Sequence, residues 1–144
     1  AEEIVPERDR QLALRDHAIR RILEEIPSAK LNGSWESRLA NNVNFSFEFI
    51  EGEGMLLQLA TRGICVSSGS ACTSGSLDPS HVLLAIGRPH EIAHGSLRLS
   101  LCETNTEEDV NAILTAVPEV VTYLRNMSPL WRDKVTGKKE FFLK

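Results

Sequence analysis

Between Pro6 and Pro27, Leu12, Leu14, Ile19, Ile22, Leu23 and Ile26 recur mostly at three- and four-residue steps. This spacing predicts an amphipathic helix over about Glu7 to Glu25. From Asn42 to Ile50 the period becomes two, with Val43, Phe45, Phe47 and Phe49 alternating with Asn44, Ser46 and Glu48. A strand follows, with three phenyl rings on one face and a polar face opposite, so that the sheet is covered on one side. Gly52 to Arg62 returns to a helical pattern through Met55, Leu56, Leu57, Leu59 and Ala60 and stops at Gly63, suited to a left-handed helix end. Ile64 to Val66 then reads as a short buried strand.

Pro79 to Ile86 predicts a short helix ended by Gly87, and Gly95 to Leu101 alternates Leu97, Leu99 and Leu101 with Ser96, Arg98 and Ser100. This second strand points Arg98 away from its leucine face. Thr106 opens Thr-Glu-Glu-Asp, a hydroxyl cap with acids in the first turn, where the helix dipole favours them. The helix continues through Val110, Ile113, Leu114, Val117, Val121 and Leu124, with a kink expected at Pro118. Residues 132 to 144 form a basic tail without usable periodicity, expected to be partly disordered. There is no internal repeat and no linker that would split residues 1 to 131 into two domains.

Composition narrows the class. The chain has 144 residues, 42% hydrophobic and 25% charged, as in an ordinary globular domain. Its formal charge of −4 and pI near 5.6 speak against nucleic acid as a partner. No apolar run approaches a membrane span, and the N-terminal residues lack the order of a signal peptide, which points to a cytoplasmic protein without membrane contact. Three cysteines without a Cys-x-x-Cys pair suit a reducing compartment.

Chemistry concentrates at Ser67 to Ser76, Ser-Ser-Gly-Ser-Ala-Cys-Thr-Ser-Gly-Ser, where Cys72 stands among small residues. Such a stretch cannot build a core and is expected to run as a mobile, accessible loop that presents a nucleophilic thiol. Cys65, in the apolar run Gly-Ile-Cys-Val, reads as a packed core residue, and Cys102 at the end of the second strand fits either role. His90 and His94 have the i, i+4 spacing of metal ligands, with His81 upstream, but they lack an intervening carboxylate and have room for barely one turn, so no metal site is assigned. Arg98 is either a solvated charge or a bidentate clamp for a carboxylate.

The run from Gly63 through Cys72 to Leu83, with His94-Gly-Ser-Leu-Arg-Leu-Ser-Leu, Asn105-Thr-Glu-Glu-Asp, Arg38-Leu-Ala-Asn-Asn-Val-Asn-Phe-Ser-Phe and Met127-Ser-Pro-Leu-Trp, resembles the C-terminal part of the NifS/IscS-like cysteine desulfurases of the class V aminotransferase family. The resemblance implies an α+β fold, the small C-terminal domain of a fold-type I pyridoxal-phosphate enzyme, with a few-stranded sheet and helices mainly on one face. It further implies an enzyme that converts L-cysteine to L-alanine, carries the sulfur as a persulfide on Cys72, and hands it to an acceptor such as an iron–sulfur scaffold. Arg98 matches the arginine that grips the substrate α-carboxylate, and the parent enzyme is expected to be a homodimer.

The chain departs from that family in what it lacks. The pyridoxal 5'-phosphate lysine follows a histidine in the family's large N-terminal domain, and Lys30, Lys134, Lys138, Lys139 and Lys144 all lie outside such a motif. The chain is therefore expected to be an excised C-terminal domain that is inactive alone. The alternative is a stand-alone sulfur-carrier or docking module without cofactor chemistry. A smaller departure is Cys102-Glu-Thr, where many relatives have Gly and a basic residue.

Overall fold

The computed structural model describes residues 4–68 and 79–137. The amphipathic repeat near the N-terminus forms helix α1 (Ile4–Glu25), and strands β1 (Ala29–Leu31) and β2 (Asn42–Phe47) follow it. Helices α2 (Gly52–Ala60), α3 (His81–Ala85) and α4 (His90–His94) precede strand β3 (Ser96–Ser100), and α5 (Glu107–Met127) and α6 (Pro129–Val135) complete the order. The strands pair antiparallel as β1-β2-β3, with Val43 opposite Leu99 and Phe45 opposite Leu97.

This register puts the apolar residues of both alternating segments on one sheet face. Val43, Phe45, Phe47, Leu97, Leu99 and Leu101 are buried there with Ile19 and Ile22 of α1, Met55 and Leu59 of α2, and Val110, Val117 and Val121 of α5. Each fully buried side chain of this size contributes about 1.5–3 kcal/mol. The fold is thus α+β, with its three longest core helices on the apolar face. The opposite face carries a thin polar layer: Asn32 donates to Asn44 Oδ1 (2.7 Å) and Ser46 Oγ (2.9 Å), and Arg88 donates to Asn32 Oδ1 (2.8 Å) and the Leu31 carbonyl (2.6 Å). Ser46 is buried because of this network.

Helix ends follow local chemistry. Asp109 N–H donates to Thr106 Oγ1 (3.2 Å) while Thr106 N–H donates to Asp109 Oδ2 (2.9 Å), a reciprocal cap at the start of α5. These bonds, the one from the Thr106 backbone above all, hold the Asp109 carboxyl below its ordinary pKa. After α2, Gly63 takes φ +75° and its N–H reaches the Ala60 carbonyl (3.0 Å). Helix α5 runs unbroken through Pro118 to Met127.

Three local expectations are corrected. Phe49 does not share the face of Phe45 and Phe47: β2 ends at Phe47, and Phe49 turns to φ +69° and packs on Trp131 at 5.7 Å between ring centroids. Residues 64–66 form no strand; the chain there meets β3 only through one bridge, Ser67 to Arg98. Cys65 is consequently exposed and not in the core, because Ile64 and Val66 on either side are the ones that pack inward. Residues 132–135 of the tail are helical, within α6.

Helix α6 docks on the corner between α1, β1 and the end of β2. Arg125 of α5 is 3% exposed, donates to the carbonyls of Pro27 (2.6 Å), Glu48 (3.2 Å) and Ser28 (3.5 Å), and lies 4.6 Å from the Trp131 ring centroid. Glu48, 5% exposed, pairs with Lys30 (3.1 Å) and Lys134 (3.8 Å). Lys134 also donates to Ser28 Oγ (3.0 Å) and lies 4.9 Å from the Phe49 ring.

Candidate functional site

The alternation of β3 sends Leu97 and Leu99 into the core and Arg98 to the other face, opposite Asn44 in the register of β2. Arg98 lies where the chain from α2 returns to the sheet. Its N–H donates to the Ser67 carbonyl at 2.6 Å, and Ser67 N–H donates to the Arg98 carbonyl at 3.1 Å. Main-chain bonds therefore tie the segment that leads toward Cys72 to the strand that carries the arginine.

The side chain of Arg98 is half-buried, and its Nε is fully buried with no hydrogen-bond partner among the described residues. A buried N–H without an acceptor costs about 1–3 kcal/mol, so an acceptor delivered to this point gains a charge-assisted bond without first displacing another protein group. A carboxylate matches the guanidinium in charge and planarity.

Cys72 lies outside the described residues. The other two thiols are both exposed. Cys102 Sγ lies 3.1 Å from Thr104 Oγ1 and 3.3 Å from Asn105 Oδ1, and its pKa is held below the ordinary thiol value, chiefly by the Thr104 hydroxyl. His90 and His94 bracket α4 with their rings edge to face at 4.7 Å, and the described residues contain no group of three or more side chains placed to hold a metal. No helix among the described residues is long and apolar enough to cross a membrane.

Two further residues frame the site, and the alternating pattern alone did not single them out. Ser67 supplies both bridge bonds to Arg98. Gly52, the first residue of α2, approaches the carbonyls of His94 and Ser96 so closely that a Cβ there would lie 2.9 and 2.8 Å from them. The only sequence signal for Gly52 was its place at the head of a helix.

Residues 4–113 match the family model described as Aminotransferase class-V, and the chain belongs to that family. It is 55% identical over 143 residues to cysteine desulfurase IscS of Clostridium botulinum strain Hall, covering 97% of this chain and 36% of that protein. It is 61% identical over 119 residues to cysteine desulfurase IscS of Methanosarcina thermophila, covering 83% of this chain and 29% of the relative. The X-ray structure of a NifS-like protein from Rickettsia africae superposes with a TM-score of 0.71 at 27% identity, over 84% of this chain and 31% of that one. The chain thus spans about a third of the length of the proteins it matches.

Pyridoxal phosphate, the cofactor implied by the sequence resemblance, requires a free lysine amine and a cup for its phosphate. The described residues do not fit it. Lys30 and Lys134 both face the Glu48 carboxylate, and Lys134 is further held by Ser28 and the Phe49 ring. The orphaned donor of Arg98 suits a planar anion such as a carboxylate.

Proposed function

We propose that this chain is the C-terminal small domain, residues 1–131 followed by a basic tail, of a cytoplasmic homodimeric cysteine desulfurase. In this reading Arg98 anchors the α-carboxylate of L-cysteine and Cys72 accepts the sulfur. The Cys72 thiolate forms an S–S bond with the substrate sulfur as the C–S bond breaks; the carbon leaves with that electron pair, takes up a proton and becomes alanine. The resulting persulfide is passed to a thiol or scaffold acceptor by exchange at sulfur. Pyridoxal 5'-phosphate and its lysine belong to a large domain outside these 144 residues, so the chain alone does not release sulfide from cysteine.

The observation that carries this reading is the buried Nε of Arg98, without a partner among the described residues, on a strand bonded through Ser67 to the segment leading toward Cys72. Membership of a family whose matched relatives are named cysteine desulfurases supports it.

The test is peptide-mapped mass spectrometry after exposure of the chain to a small-molecule persulfide donor, together with alanine release by the whole protein. Sulfur addition at Cys72 above Cys65 and Cys102, and loss of alanine formation in Cys72→Ser, are expected. Arg98→Met should raise the KM for L-cysteine about 10- to 100-fold, the value of a lost charge-assisted pair. Equal labelling of the three thiols, or an unchanged KM in Arg98→Met, would overturn the assigned roles. Persulfide uptake at Cys72 by a chain whose whole protein makes no alanine would instead identify the sulfur-carrier module.

A further inference from the structure

Gly52 lies where three segments meet: the first turn of α2, the α4–β3 junction and the foot of the Cys72 segment. A Cβ on Gly52 would stand 2.8 Å from the Ser96 carbonyl oxygen, 2.9 Å from that of His94 and 3.5 Å from Ser68 Cβ. The first two distances are shorter than any side chain tolerates against backbone, and backbone cannot swing aside as the end of a long side chain can. Gly52 has an ordinary negative-φ helical backbone, unlike Gly63, so closeness of approach is what demands glycine here.

The atoms it touches are also the ones that matter. Ser96 precedes Arg98 by two residues and so shares its face of β3, and Ser68 follows Ser67, whose main chain holds Arg98 at 2.6 and 3.1 Å. We propose that Gly52 is a positioning residue: its missing side chain lets α2 seat against β3 and Ser68 together, which fixes the Ser67–Arg98 bridge and hence the placement of the carboxylate anchor relative to Ser67 and Ser68. This role rests on the functions assigned above to Arg98 and Cys72, but its structural half can be tested without them.

Gly54 supplies the control within the same helix. A Cβ at Gly54 would meet only the methyl groups of Leu124, at 3.4 and 3.6 Å, which can yield. Hydrogen exchange on Gly52→Ala is expected to show the Ser67 and Arg98 amides exchanging about tenfold faster, with the Asn32 amide, which donates to Asn44, within about twofold of the parent. Gly54→Ala should leave all three unchanged. In the whole protein, Gly52→Ala is expected to lower kcat about tenfold with little change in the KM for L-cysteine, because displacement of reacting partners costs rate more than binding.

Unchanged bridge amides, or equal acceleration throughout the sheet, would overturn the inference, and so would a loosened bridge with unchanged kcat. If Gly52→Ala does not fold, Ser67→Pro decides the matter, since it deletes the N–H donated to Arg98 and leaves α2 untouched. Faster exchange at Arg98 with lowered kcat in that variant supports the role, and parent-like values for both reject it. An unchanged KM in Arg98→Met would sink the carboxylate assignment alone, leaving the exchange result standing.

Discussion

Arg125 and Arg98 each carry a guanidinium from solvent into packed surroundings, one from α5 and the other from β3. Around Arg125 the setting is closed: three carbonyls accept its N–H groups, Trp131 covers its face, and the ion-paired Glu48 lies beside it. Burial lowers its pKa, an effect partly offset by Glu48. Around Arg98 the backbone is satisfied on both sides by Ser67, yet the side-chain Nε meets nothing among the described residues. The first arginine is spent on holding a corner together. The second has a donor left over among the described residues, and the proposed carboxylate is what would satisfy it.

The contrast predicts opposite responses to removal. Arg125→Ala strips donors from the carbonyls of Pro27, Ser28 and Glu48, and thermal or urea unfolding should register a loss of about 3 kcal/mol. A stability within error of the parent would show that the corner does not depend on it. Lys134→Met keeps much of the aliphatic stem but removes the pairing to Glu48 and Ser28, and about 1 kcal/mol should be lost.

An exposed carboxylate sharpens the comparison at the surface. The lowered pKa of Asp109 means that its contribution is present above the ordinary carboxylate value and is lost as pH falls through its depressed folded value. Asp109→Asn should therefore flatten the acid limb of the stability profile below about pH 4 and leave neutral-pH slopes alone. The smallest effect belongs to Arg98→Met. Removing a donor that has no partner among the described residues relieves its desolvation cost against some lost packing of the side chain, so calorimetry should show stability unchanged or raised by up to about 1 kcal/mol. A loss as large as that of Arg125→Ala would refute the claim that Arg98 is held for a ligand.

Much of this architecture could be read from period alone. The alternation in 43–47 and 97–101 placed both strands and turned Arg98 outward from the leucines, and the Thr106 cap and Gly63 were evident from residue type. Period failed where a distant residue decides the outcome. Phe49 continues the alternation of β2 but leaves the strand for Trp131, a partner that no local window contains. Strand β1 has only three residues, too few for any period, and exists through its register with 45–47 of β2.

Helix α6 was hidden for a similar reason, since contacts of Trp131 and Lys134 with the corner hold it in place rather than a long amphipathic face. Cys65 misled because an apolar neighbourhood in sequence became alternate inward and outward positions in an extended segment. For the site, the facing of Arg98 was legible, but its orphaned Nε and the close approach at Gly52 depend on three-dimensional juxtaposition.

The short bridge at Ser67 has a consequence for how the protein behaves in a crowd. Both outer strands of a three-stranded sheet offer main-chain groups to any extended chain that drifts past, a route to edge-to-edge aggregation. Strand β1 limits that offer by brevity and by the charged Lys30 at its centre. On the other margin, Ser67 occupies the amide and carbonyl of Arg98 in the middle of β3, so a foreign strand finds its template interrupted where it would need to be continuous. The same two hydrogen bonds that hold Arg98 therefore also help to keep one copy of the chain from stitching itself to the next.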